Sequence, residues 1–422
     1  MKPDDAVSPR RGSLGAPPLT ALAAMGAVWG PGLLVMLADT DAGNIITAAD
    51  AGARWGYRLL PLPLLLIPAL AMVQDLAVRI GIFTGRGFGD LIRERLGRPW
   101  RWLAAVALTV ATLGSLITDL TGVAGVGELY GIARPATLGL AGLCLLLVML
   151  TGKYRRVEQI ALLLGLFEFS FFVVAWDAHP AWAALARDLS DQRFTDGSYL
   201  YLAAGLIGAT FNPWMVFYQA SALAEKRLTP AHYRAARWDT LAGAILTQLL
   251  TAAVLLAVGA VSTRNGSAVP LDSVGRISDA LTPTLGITVG RLAFGIGVTG
   301  AAMAAAIVCS LACAWGLGEI FGIRRSADQD ATREPWFRAG YTACILGGAA
   351  VVLFVPDLVG LSVATQVLNA ALLPVIGAVL LVLAATALPG GSRLRGSPLW
   401  LTAATVGLVA TAGLVGAIAS LS

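Results

Sequence analysis

Charge is what this sequence has least of: only 13% of its 422 residues are Asp, Glu, Lys or Arg, against 57% apolar ones. An ordinary water-soluble domain carries about twice that charged share, so a soluble globule is excluded as a description of the whole chain, and so is a disordered one. Histidine is almost missing, with His179 and His232 alone, and both fall between apolar runs. Cysteine is scarce too, at four residues. Cys144, Cys309, Cys313 and Cys344 all lie within apolar runs, which argues against a disulfide framework or a thiolate metal centre. No cleavable signal peptide is expected, because residues 1–18 are polar and proline-containing and read as a disordered cytosolic stub.

What remains is hydrophobic length. Mean hydropathy is +0.75, and apolar stretches of about 18 to 25 residues recur from end to end, each able to cross about 30 Å of hydrocarbon as a helix. The spans read as 20–55, 58–81, 102–127, 135–151, 157–176, 198–225, 236–262, 285–318, 336–355, 359–386 and 398–421. The expected architecture is therefore an all-α polytopic membrane protein, with residues 19–422 forming one transmembrane domain.

Net charge is +5, and its placement decides its meaning. Basic groups gather in alternate connections: Lys2, Arg10 and Arg11, then Arg86 to Arg101, then Lys153, Arg155 and Arg156, then Lys226 to Arg237, then Arg324 to Arg338, then Arg393 and Arg395. The intervening loops are more acidic, as at Asp177, Asp188, Asp191 and Asp196. This pattern suits a lipid bilayer rather than nucleic acid, and the positive-inside rule puts the N-terminus in the cytoplasm and the C-terminus outside the inner membrane.

Two spans are interrupted. The first carries Asp39, Thr40, Asp41, Ala42, Gly43 and Asn44 in mid-segment, and the sixth carries Asn212 and Pro213. Freed backbone groups at membrane depth persist only where protein or a watery cavity satisfies them, so the breaks mark a site. Their matching positions fit two inverted repeats, about 20–176 and about 198–386, with an extra helix at about 398–421. An aspartate at mid-bilayer costs about 2.5–3.5 kcal/mol on insertion scales. Asp41 therefore calls for a partner, and a bound cation is the simplest. Asn44, three residues on, offers an amide oxygen, the unwound carbonyls add hard donors, and the sixth-span break brings the carbonyl of Ala209 and the side chain of Asn212. Asp41 could instead cap the second half-helix. Glu168, an acid in the middle of the fifth span, could be a relay, a second cation contact or a hydrogen-bonding group of the bundle. Gly295, Gly297 and Gly300 spell G-x-G-x-x-G in an apolar span, where close helix packing is expected rather than nucleotide binding. No nucleophile and base pair lies in the spans, so an enzyme is not expected.

Asp41, Ala42, Gly43 and Asn44 resemble the Asp-Pro-Gly-Asn metal-binding motif of the Nramp divalent metal transporters. The likeness continues through Gly52, Trp55 to Leu60, Gln74, Ala77, Arg79, Thr84 and Gly85, through Tyr154, Arg155 and Glu158, the stretch Gly205 to Pro213, and Gln366 with Pro374. It implies a LeuT-like inverted-repeat fold of five plus five helices with helices 1 and 6 broken, and a metal set of Asp41, Asn44, Ala209 and Asn212. Family members carry Met-Pro-His-Asn in the sixth span, where this chain has Asn212, Pro213, Trp214 and Met215. A hard oxygen thus replaces a soft sulfur, which suits magnesium, calcium or manganese. Asp39 would add field strength, and Gln366 matches a residue that reaches the occluded metal, while Leu372 replaces a second glutamine and Asn369 could substitute for it. Proton-coupling positions are depleted: Trp214 stands for the histidine, Gly122 and Thr112 for acids, and Asp119 is retained. The chain resembles most the Nramp-related magnesium transporter branch. The resemblance implies transport of Mg2+, and also Mn2+, by alternating access without proton coupling. Alternatives are a proton-coupled Mn2+/Fe2+ importer and, more distantly, a sodium-coupled amino-acid symporter of the same fold. No cofactor or obligate protein partner is implied.

Overall fold

A computed structural model describes residues 30–150, 154–265, 273–281, 286–323 and 335–419. The basic residues Lys2, Arg10, Arg11, Lys153, Arg324, Arg325 and Arg333, and the stub 1–18, lie outside the described residues. Among those described, every regular element is helical. The first broken segment is α1 (Pro31–Leu37) and α2 (Ala42–Trp55), followed by α3 (Pro61–Thr84), the short α4 (Phe88–Arg95), α5 (Arg98–Leu129) and α6 (Arg134–Leu150). The fifth span is α7 (Tyr154–Gly165), a 3-10 turn (Leu166–Phe169) and α8 (Ser170–Asp177), with α9 (Trp182–Ser190) in the loop beyond it. The second broken segment is α10 (Gly197–Thr210) and α11 (Pro213–Glu225). Then come α12 (Tyr233–Asn265), α13 (Val274–Leu281), α14 (Ile287–Phe321), α15 (Pro335–Phe354), α16 (Leu358–Thr386) and α17 (Ser397–Ala419).

Nine helical segments among the described residues are long and apolar enough to cross a membrane. With α6, an apolar helix of 17 residues, and the broken first segment, they account for the eleven spans expected.

Local chemistry explains both breaks. Gly30 has φ +141, a conformation that L side chains rarely adopt, and Pro31 follows at the first helical position. Helix α1 stops after about two turns, and Asp41 takes extended dihedrals (φ −64, ψ 172) to cap α2. In the sixth span, Asn212 is pushed into the extended region by Pro213, which has no N–H to lose at the start of α11.

The breaks are held from the side by α12, which packs on α1, α2 and α3, while α10 packs on α16 and α17, and α14 on α5. Gly297 and Gly300 of the G-x-G-x-x-G stretch lie against Leu164, Phe167 and Ser170 of the fifth span, a helix-packing role. At the start of α1, Asp239 Oδ2 accepts from the backbone N–H groups of Gly32 (2.8 Å), Leu33 (3.2 Å) and Gly30 (3.4 Å). Lys226 and Glu158 pair at 2.6 Å beside Gly30. Beyond the far end of α2, Arg58 pairs with Asp191 at 2.8 Å, and the Arg58 and Arg193 guanidinium groups hold Asp191 below the usual carboxylate range. All four cysteines are free thiols.

Candidate functional site

The two breaks meet. Asn212 donates through Nδ2 to Asp39 Oδ1 (3.1 Å) and to the carbonyl of Ala209 (3.2 Å). Its Oδ1 accepts from Asn369 Nδ2 (2.6 Å) and Ser115 Oγ (3.3 Å). Asn369 Nδ2 also donates to Gln366 Oε1 (3.0 Å), and Gln366 Nε2 donates to Asp41 Oδ1 (3.3 Å). A ring of hydrogen bonds thus joins Asp41, Gln366, Asn369, Asn212 and Asp39 across three spans, closed by Asn44, which donates to both Asp41 and the Asp39 carbonyl. Gly43 leaves room for it, since a Cβ there would lie 2.3 Å from Gln366 Nε2.

Each residue expected from the sequence has a defined place. Asp41 does cap α2, through Oδ1 accepting from Asn44 N–H at 2.6 Å, yet its Oδ2 has no hydrogen-bond partner. One carboxylate therefore both caps a helix and offers an oxygen. Asn44 donates Nδ2 to the carbonyl of Asp39 (3.1 Å), and its amide oxygen faces Thr251 of α12 (2.9 Å) rather than the middle of the ring. Asp39 is fully buried in the ring, bonded to Asn212. Asp119 stands one helix turn from Gly122, which abuts Ala42, so it lies beside the start of α2. Glu168 sits in the 3-10 turn of the fifth span, outside the ring, beside Gly165 where that residue meets Leu37. Gln366 and Asn369 are ring members, fully buried.

Four carboxylates, those of Asp39, Asp41, Asp119 and Glu168, are wholly buried. They lie within electrostatic range of one another, since Asp41 acts on the other three. Asp39 Oδ2, Asp41 Oδ2, both oxygens of Asp119 and of Glu168, and Asn369 Oδ1 are buried without a hydrogen-bond partner among the described residues. Buried carboxylates of like sign repel, and each unmade hydrogen bond costs about 1–3 kcal/mol. Ionised together, these carboxylates would need positive charge supplied from outside the chain. No three His, Cys, Asp or Glu side chains stand at metal-ligand spacing among the described residues. The gathered donors are a mixed set of carboxylate, amide and carbonyl oxygens, the set that hard cations prefer. Beside Asn212, Gln74 and Pro213 a cavity of about 10 Å³ has room for about one water.

Some site residues were missed in the sequence. Ser115 accepts from Trp214 Nε1 (2.9 Å) and donates to Asn212, tying the third span to the sixth. Thr247 bonds Thr40 (2.7 Å), Gln248 bonds Thr210 (3.4 Å), and Thr251 bonds Asn44, so one face of α12 touches both breaks. The signal was there as polar residues four apart in an apolar span, Thr247 and Thr251.

Two broken spans that face each other across buried polar groups, inside a bundle of ten helices with one appended, define a multi-pass membrane protein of the LeuT-like inverted-repeat class. Solved structures share this fold: the Eremococcus coleocola manganese transporter, with a TM-score of 0.75 at 19% identity over 94% of this chain and 87% of that one, and MhsT in complex with L-phenylalanine, with 0.63 at 14% identity over 92% and 98%. The family model for Natural resistance-associated macrophage protein-like proteins (Nramp) matches residues 32–419. The chain belongs to the Nramp family. Relatives named divalent metal cation transporter MntH include that of Ralstonia nicotianae, 33% identical over 301 residues, covering 67% of this chain and 66% of that protein. That of Chromohalobacter salexigens is 30% identical, with 68% of each chain covered. The Verminephrobacter eiseniae protein is 32% identical over 211 residues, so the matched stretch spans about half the length of that relative, 46%.

Proposed function

We propose that this chain carries a divalent metal ion across the cytoplasmic membrane by alternating access, with Mg2+ as main cargo and Mn2+ also accepted, without proton coupling. The N-terminus would be cytoplasmic and the C-terminus outside, as the basic loops suggest. The observation that carries the reading is the set of buried, unpartnered carboxylate oxygens of Asp39 and Asp41 next to the Ala209 carbonyl and the Asn212 amide. Asn212 Nδ2 lies between two acceptors. Turning that amide by half a rotation would put Oδ1 there and give a cation three kinds of oxygen at one place. Nothing soft stands at position 212, and Met215 is buried three residues further on. Magnesium loses water reluctantly, and a mixed set of carboxylate, amide and carbonyl oxygens suits so hard an ion. Relatives named for divalent cations and a structural neighbour named for manganese support the metal.

A proton-coupled Mn2+ or Fe2+ importer is the second reading, favoured by Asp119, whose two unpartnered oxygens lie within electrostatic range of Asp41. The sodium-coupled amino-acid symporter shares only the fold, and Asp39 and Asp41 would repel a carboxylate substrate at the break. Uptake into proteoliposomes decides: Mg2+, Mn2+ and Ca2+ are compared while internal pH is followed, for the wild type and Asp41→Ala. Mg2+ uptake without acidification, lost in the variant, is expected. Uptake of Mn2+ alone, with acidification, would replace this reading by the proton-coupled one.

A further inference from the structure

Glu168 is, with Asp119, one of the two buried acids of the cluster that the ring does not use. Glu168 lies in the 3-10 turn of the fifth span with no exposure, neither carboxylate oxygen meets hydrogen-bond geometry with a partner among the described residues, and the Thr40 hydroxyl is the polar side chain that acts on it. The turn interrupts the α-helical register between α7 and α8 immediately after Gly165, where the side chain of Leu37 approaches. The groups acting on Glu168 are Thr40, Asp41 and Asp39, all on the break of the first span. From α14, which packs on the same turn, Gly297 and Gly300 approach, and neither carries charge. Helix α1 ends at Leu37, so its C-terminal carbonyl dipoles are directed toward this same side of the break, which favours a cation there.

Charge balance points the same way. One divalent ion at Asp39 and Asp41 would offset two of four buried negative charges, and no lysine or arginine among the described residues acts on Glu168. We propose that Glu168 anchors a second cation position, beside the break and apart from the metal position, that takes one hard monovalent cation, a sodium ion. The inference rests on reading the ring as a cation site. Because both positions share the field of Asp39 and Asp41, occupancy at Glu168 weakens the hold on the divalent ion, and by reciprocity the divalent ion weakens the monovalent one. Release of the metal is thereby linked to entry of the smaller charge.

The test uses the full chain in lipid nanodiscs, as wild type, Glu168→Gln and Glu168→Asp, at ionic strength held constant with choline chloride. In the first arm, without divalent metal, thermal unfolding is followed against sodium at fixed pH and against pH at fixed sodium. A ligand that binds only the folded state raises Tm. The wild type and Glu168→Asp are expected to be stabilised by sodium, and Glu168→Gln to lose that response. A wild type that responds to pH alone, a wild type indifferent to sodium, or a Glu168→Gln variant that keeps the full sodium response overturns the proposal. In the second arm, the apparent Kd for Mn2+ should rise about fivefold or more with the monovalent cation in the wild type, a typical coupling factor, and stay constant in Glu168→Gln. A first arm that succeeds while no Mn2+ binds at all would sink the metal reading and leave the Glu168 site standing.

Discussion

A Cβ placed on Gly208 would lie 1.7 Å from the carbonyl oxygen of Gln366, so no residue with a side chain fits between α10 and α16 at this level. The contact brings the end of α10 against the turn of α16 that carries Gln366 and Asn369, and so closes the ring. Overpacking of a tight contact costs about 1–3 kcal/mol. Gly208→Ala is therefore expected to lower the thermal stability and to abolish metal uptake, and a variant with unchanged uptake would show that the ring is not needed intact.

Asn212→Met replaces a hard donor by a soft one. It also removes the hydrogen bonds to Asp39 and Asn369. Preference for Mn2+ over Mg2+ should rise by about tenfold, about 1.4 kcal/mol, read as competition between the two ions for uptake. An unchanged ratio would mean that residue 212 does not touch the ion.

Ser115→Ala leaves Trp214 Nε1 without its acceptor and Asn212 with one donor fewer. An unsatisfied buried donor costs about 1–3 kcal/mol. Metal affinity measured by calorimetry should fall, and Ser115→Thr, which keeps the hydroxyl, should restore most of it.

Asp239→Ala removes the carboxylate that three N–H groups at the start of α1 share. Those amides should exchange hydrogen for deuterium faster, while α16 and α17, which α12 does not hold, stay protected. Equal protection of α1 in the variant and the wild type would mean that this end is held by other contacts, such as the neighbouring Lys226 and Glu158 pair.

The architecture was legible because a helix crossing a bilayer must satisfy its backbone within one segment, so hydropathy alone places it. The structured span ends fall within a few residues of the sequence reading, 102–127 against Arg98–Leu129 for example. The breaks were legible for the converse reason: Asp39, Asp41 and Asn212 are polar where only function or capping tolerates them. Side-chain orientation was not. Nothing local tells that the oxygen of Asn44 turns to Thr251, because that depends on how α12 lies against α2, whereas the Asp41 cap is a bond to Asn44 three residues on and was open to the sequence. Ser115 was passed over because a serine in a small-residue stretch of the third span looks like packing until Trp214 is seen to bond it.

The closed ring of amides also has a consequence for kinetics. An ion arriving at Asp39 and Asp41 meets groups already bonded to each other, so its capture is an exchange reaction: the amide of Asn212 must release Asp39 and swing before the new bonds form. Where Asp39 and Asp41 hold the ion as proposed, the rate constant for loading would report that side-chain rotation wherever water loss from the ion is faster. Ions that shed their water at different speeds would load at similar rates wherever that rotation is the slower event.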